Sequence, residues 1–142
     1  MSSGVLSVFD HLSVGVSDLE RAARFYDAVL GALGFVRLAE NPRSVCYGPP
    51  GFEGEAPFAI LAREAASSAL DPRFHLAFQA SSREGVQRFH AAALASGGSD
   101  DGPPGIRESY DPGYYAAFVR DPDGHRLEAV VHEPRTERQM PA

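Results

Sequence analysis

From Val8 to Val16 apolar and polar positions alternate. Val8, Leu12, Val14 and Val16 point one way and Phe9, His11, Ser13 and Gly15 the other, the period of a half-buried strand. The period then lengthens: Leu19, Ala22, Tyr26, Val29 and Leu33 recur at helical spacing. Ser17-Asp18-Leu19-Glu20 reads as a capping box at the start of this helix, with Ser17 as the cap, and Gly34 is placed to end it in a left-handed conformation. Short apolar runs follow at Phe35 to Ala39, Ser44 to Tyr47 and Phe58 to Ala62. They are separated by Asn41-Pro42 and by a loop rich in proline, glycine and glutamate. The first half therefore reads βαβββ, and Glu64 to Pro72 reads as a linker.

The second half follows the same plan. Phe74 to Ala80 alternates as a strand, Ser81-Ser82-Arg83-Glu84 is a second capping box, and Val86, Phe89, Ala93 and Leu94 mark a second helix. Gly97 to Gly105 reads as a flexible acidic loop, Ile106 to Tyr110 and Tyr115 to Arg120 as strands, Asp121-Pro122-Asp123-Gly124 as a tight turn, and Arg126 to Val131 as the last strand.

The two halves also match residue by residue. Residues 11–34 align without a gap on residues 75–98, with identities at His11/His75, Leu12/Leu76, Ser17/Ser81, Glu20/Glu84, Arg24/Arg88, Phe25/Phe89, Ala28/Ala92, Leu30/Leu94 and Gly34/Gly98. Roughly one or two matches would arise by chance over such a window, so the chain carries a duplicated structural unit. The expectation is an α+β fold: one domain of two tandem βαβββ modules, module one about residues 7–63 and module two about 73–133, with a polar C-terminal tail at 134–142.

Composition narrows the partners. The 142 residues are 44% hydrophobic and 23% charged, ordinary for a globular chain, and the net charge of −6 offers no basic footprint for nucleic acid. No apolar run approaches membrane-spanning length, so a small molecule is the expected ligand rather than nucleic acid or membrane. Cys46 is the single cysteine, which excludes an intrachain disulfide and fits a reducing compartment; with no address signal at the start, the cytoplasm is the expected location.

Each copy of the repeat opens with a histidine, and parity on the last strand turns Glu128 away from the helix-packed layer, so His11, His75 and Glu128 are expected on the concave side of a curved sheet. Two neutral imidazoles and a carboxylate are a ligand set for a divalent metal that leaves positions open for water or substrate. Such an ion polarises a carbonyl or enolate oxygen. The competing reading is that the histidines are hydrogen-bonded strand residues and Glu128 a solvated side chain. Tyr114 or Tyr115, with Tyr115 preferred, is a candidate proton donor, and Arg107 a candidate partner for a substrate carboxylate. His125 reads as a turn residue, and His90, which replaces Tyr26 in the repeat, as a packing or surface position.

HLSVGVSDLERAARFYDAVLGALGF headed by His11, the second module headed by His75, and FVRDPDGHRLEAV carrying Glu128 resemble the vicinal oxygen chelate superfamily, which includes glyoxalase I, extradiol dioxygenases, fosfomycin-resistance and bleomycin-binding proteins. The resemblance covers about residues 7–133. It implies curved sheets around a shared cavity, a divalent metal ion (Zn, Ni, Mn or Fe) held at the positions of His11, His75 and Glu128, and a homodimer that in some members builds the site from both chains. Glyoxalase I carries a further glutamate on the last strand of its first module; here the repeat puts Ile60 near that position, and Glu64 lies a few residues beyond.

The resulting expectation is a metal-dependent enzyme of lyase or isomerase type, with oxygenation as second choice. It would act on a small oxygen-chelating substrate through a metal-stabilised enolate or oxyanion, with Glu128 and Tyr115 as catalytic residues. The alternatives are a non-catalytic sequestering protein of the bleomycin-resistance type, or a fold that keeps these positions without chemistry, such as a regulatory dimer.

Overall fold

The computed structural model of the chain describes residues 8–64, 71 and 73–134. Most of the expected linker and nearly all of the expected tail therefore lie outside the described residues. The elements, in order, are β1 (Leu12–Val16), α1 (Leu19–Ala32), β2 (Val36–Asn41), β3 (Ser44–Gly48), β4 (Phe58–Ala62), β5 (His75–Gln79), α2 (Arg83–Ala95), β6 (Ser99–Ile106), β7 (Tyr114–Arg120) and β8 (Arg126–His132). They form two four-stranded sheets, ordered β1-β4-β3-β2 and β5-β8-β7-β6, so each half is a βαβββ module. In both, the first strand pairs in parallel with the last while the other pairings are antiparallel.

Both helix starts sit one residue later than the capping boxes suggest. Asp18 caps α1 by accepting from the Arg21 amide, and Ser82 caps α2 by accepting from the Gly85 amide. Ser17 is drawn away by tertiary structure: its amide and hydroxyl both donate to the Asp123 carboxylate, the hydroxyl at 2.6 Å. The helix stop is as expected. Gly34 adopts φ of 90°, and the Gly34 and Phe35 amides turn back to the Gly31 and Leu30 carbonyls, satisfying groups the helix leaves open.

The second module departs from expectation at one place. Residues Ser99–Ile106 are not a loop but the edge strand β6, and 107–113 form the turn instead of a strand. Pro103 and Pro104 lack amide donors, which an edge strand tolerates because one side of it needs none; register shifts at Gly102 and Gly105 absorb the misfit.

The two modules share one core. Phe25, Tyr26, Val29, Leu30, Tyr47, Ile60, Val86, Phe89, Val119 and Leu127 are fully buried, each large side chain worth about 1.5–3 kcal/mol of burial. Phe58 bridges the halves, with its ring centre 5.4 Å from Tyr26 and 5.3 Å from Phe78. The Asp121–Gly124 turn of module two plugs into module one: Tyr26 donates to Asp121 at 2.6 Å, and Arg63 and Arg21 approach Asp123 at 3.5 and 3.6 Å. His125, buried as a turn residue, lies 2.7 Å from the same Asp121 carboxylate.

Candidate functional site

Register on the second sheet decides which side chains meet. Ala77 stands opposite Glu128, and Glu128 opposite Phe118; Arg120 opposite Arg126 and Tyr114 opposite His132 follow from the same hairpin. Even-numbered residues of β7 and β8 therefore share one face, with His75 and Ala77 of β5 beside them. Odd-numbered residues Tyr115, Ala117, Val119, Leu127 and Ala129 belong to the buried core on the other face.

On the even-numbered face Glu128 is buried, at 1% exposure, yet both of its oxygens are engaged. One lies 3.3 Å from His75 Nε2, and the other accepts a short hydrogen bond from the Tyr114 hydroxyl. Burial, then the bond to Glu128 and its charge, push the Tyr114 hydroxyl well above the usual tyrosine range, so it stays protonated and donates. Edge-on contacts from Tyr110 and His132, with ring centres 5.0 and 5.1 Å away, fix the Tyr114 ring. A cavity of about 340 Å³ opens over this group, lined by His75, Tyr110, Tyr114, Phe118, Arg126 and Glu128.

Tyr115, the preferred tyrosine of the sequence reading, faces the helix layer. Its hydroxyl accepts from Gln87 at 2.9 Å and its ring lies under the Arg83 guanidinium, so the tyrosine that meets Glu128 is Tyr114 instead. The signal was present in the sequence: the tight turn pairs Arg120 with Arg126, and counting back from it sets Tyr114 and Glu128 on a common face.

His11 does not join this group within the chain. It precedes β1, half-exposed, with Nδ1 2.8 Å from Asp10, whose hydrogen bond raises the imidazole above its ordinary range. It lines a separate, mainly apolar cleft of about 400 Å³ between the modules, together with Leu12, Phe58, Leu76 and Phe78. This cleft is the cavity the two modules share, and Glu128 opens instead into the smaller cavity within module two. Among the described residues no group of three or more His, Cys, Asp or Glu side chains stands close enough to hold a metal ion. Two of the expected ligands are brought together and the third is not.

The first module has no counterpart to Glu128. Ser13 matches Ala77 in the repeat, and Ser13 stands opposite Ala59, which stands opposite Cys46. The position matching Glu128 is therefore Ala59, not Ile60, which is buried in the core. Glu64 is 89% exposed on its side chain, 4.0 Å from Arg43. His90 lies 2.8 Å from Asp100 near the surface, as its place in the repeat suggested.

No described helix is long and apolar enough to cross a membrane. Residues 8–129 match the family model of the Glyoxalase/Bleomycin resistance protein/Dioxygenase superfamily. A glyoxalase/bleomycin resistance protein from Albidiferax ferrireducens T118 is 37% identical, with 90% of this chain and 100% of that one covered at a TM-score of 0.75. A glyoxalase-related enzyme from Fulvimarina pelagi is 25% identical, with 89% and 88% covered and a TM-score of 0.63. A fosfomycin resistance protein from Listeria monocytogenes, 18% identical with 95% and 98% covered, shares the fold at a TM-score of 0.62. Comparison with curated proteins gives no match. With its twin βαβββ modules and a family match over most of its length, the chain belongs to the glyoxalase/bleomycin resistance protein/dioxygenase superfamily.

Proposed function

We infer that the protein is a metal-dependent enzyme acting on a small oxygen-bearing substrate, with His75 and Glu128 of one chain and His11 of a second copy holding the ion. The observation that carries this reading is the buried carboxylate of Glu128 set 3.3 Å from an accessible imidazole. Burying an ionised carboxylate costs several kcal/mol unless it is well partnered, and a merely structural strand has no need of one. The donor set suits a borderline divalent cation such as Zn, Ni, Mn or Fe.

A second copy is invoked because His11 lines a different cavity from the pair in its own chain. β1 and β5, which begin beside the two histidines, each end their sheet and leave one side free for pairing. Phe9, Leu12 and Phe74 are exposed next to them. A homodimer joined along these edges covers that apolar surface and carries His11 toward the other chain's His75 and Glu128.

When bound, the ion polarises a substrate oxygen and stabilises negative charge developing there, as lyase or isomerase chemistry requires. The chain supplies the rest. Tyr114 holds Glu128 in one orientation, and Asp10 does the same for His11 from the Nδ1 side and leaves Nε2 free.

One observation favours a sequestering protein instead: the described residues of a single chain assemble no complete ligand set. Metal analysis decides. Protein purified without chelator or tag-derived metal, then offered Zn, Ni, Mn and Fe in turn, is expected to hold one ion per chain, and His75→Ala to hold none. An unmodified protein that takes up none of the four would overturn the metal-dependent reading in favour of a binding protein.

A further inference from the structure

We propose that Arg83, on the helix side of the second sheet, is a positioning residue for the ligand set: it grips the ends of β7 and β8 and so sets Tyr114 against Glu128. This deepens the reading above by naming what orients the buried carboxylate, and rests on it only for the effect on a bound ion. Alternation joins the two sides. Successive residues of a strand point to opposite faces, so a side chain held on the helix face fixes its neighbour on the cavity face.

Arg83 opens α2 and touches both strands at one level. Its Nε and Nη2 donate to the two oxygens of the Glu133 carboxylate at 2.6 and 2.7 Å, a bidentate pair just past the end of β8. Its guanidinium carbon lies 4.6 Å from the centre of the Tyr115 ring on β7, whose hydroxyl is also held by Gln87 of the same helix. The cavity-side neighbours of Glu133 and Tyr115 are His132 and Tyr114. These two stand opposite each other in register, with ring centres 5.1 Å apart.

The backbone leaves little play between the two faces. The Glu133 amide donates to the Gly113 carbonyl at 2.8 Å, and Gly113 lies so close to Glu133 that any side chain there would run into the Glu133 carbonyl. On the other edge the Tyr114 carbonyl accepts from the Arg107 amide at 2.8 Å, while the Arg107 guanidinium bends over Phe118 to the Pro103 carbonyl at 2.5 Å. Tyr114 thus enters the cavity from a backbone clamped at Gly113 and Glu133, and Arg83 closes the clamp from the helix. Among the described residues Glu133 has no other ion-pair partner, so removing the guanidinium releases both strands at once.

The test follows the Tyr114 hydroxyl proton by NMR in the metal-free full chain in EDTA, where its bond to Glu128 gives a downfield resonance identified by its loss in Tyr114→Phe. Arg83→Gln is expected to speed exchange of this proton with water about tenfold. In protein loaded with Zn, Ni, Mn or Fe, whichever the unmodified chain takes up, chelator competition is expected to show ion affinity weakened about threefold, less than in Tyr114→Phe. Arg83→Lys keeps the charge without the planar fork and is expected to fall between. Arg37→Gln, which breaks a comparably exposed pair with Asp27 in module one, is expected to move neither readout. The proposal is overturned by absence of the resonance in the unmodified protein, by unchanged exchange in Arg83→Gln, by an equal change in Arg37→Gln, or by an affinity that holds while exchange rises. An unmodified protein that binds none of the four ions counts against the metal reading alone, and the exchange measured without metal still decides this one.

Discussion

The two modules share a plan and differ in what they do with matching positions. On the concave face of module two, Ala77, Glu128 and Phe118 stand in a row across three strands; in module one the row is Ser13, Ala59 and Cys46. Tyr26 of α1 reaches a buried carboxylate on the opposite module, whereas its counterpart on α2, His90, meets Asp100 near the surface. One copy thus supplies the joint that locks the halves together, and the other supplies a cavity with buried charge. Duplication provides the scaffold, and divergence at a few facing positions divides the labour.

The joint is where breaking the symmetry costs most. Asp121→Ala leaves Tyr26 and His125 without their partner in the core and is expected to cost about 3–5 kcal/mol in urea-induced unfolding. Asp100→Ala, at the matching surface pair, is expected to stay within about 1 kcal/mol. Equal losses would mean that the joint is no more than another hydrogen bond.

Exchanging the carboxylate sharpens the contrast. Ala59→Glu puts an acid at the half-buried position matching Glu128, in a row with Ser13 and Cys46, and is expected to destabilise by about 2 kcal/mol. Glu128→Gln relieves a buried charge and is expected to leave metal-free stability unchanged or raised by about 1 kcal/mol while removing metal uptake. Thermal melts of both variants beside the parent check the pair.

The neighbouring tyrosines offer a smaller test. Tyr114→Phe frees the Glu128 carboxylate from its support and is expected to weaken metal binding by about tenfold. Tyr115→Phe, on the helix side, is expected to change it by less than about twofold.

The smallest effect is on alkaline stability. Tyr26, Tyr47 and Tyr114 hold their protons above the usual tyrosine range, mainly through burial. A raised folded pKa contributes stability that is complete below about pH 10, where the unfolded tyrosine titrates, and declines as pH rises further. Unfolding measured from pH 8 to 11 should fall less steeply in Tyr26→Phe than in the parent.

Much of this architecture was legible in the sequence because hydrophobic period and repeat act locally. Strand β4, both helices and the Asp121–Gly124 turn were marked by a short apolar run, helical spacing and a glycine placed for positive φ. What could not be read depended on partners far along the chain. Ser17 looked like a cap until Asp123 claimed it, and β6 looked like a loop because its prolines are acceptable only at a sheet edge. The same holds for the site. Parity foresaw that Glu128 leaves the helix layer, and carried across the Asp121–Gly124 turn it also favours Tyr114 over Tyr115, but the separation of His11 from His75 needed the packing of one module on the other.

The proposal that two chains build one site is tested most directly by mixing them. His11→Ala and His75→Ala subunits are co-refolded, and the metal content of the isolated heterodimer is measured by native mass spectrometry. A site shared between copies leaves one intact ligand set in the heterodimer, so it should bind one ion where each homodimer variant binds none. A heterodimer as empty as its parents, beside an unmodified protein that loads fully, would contradict the shared site.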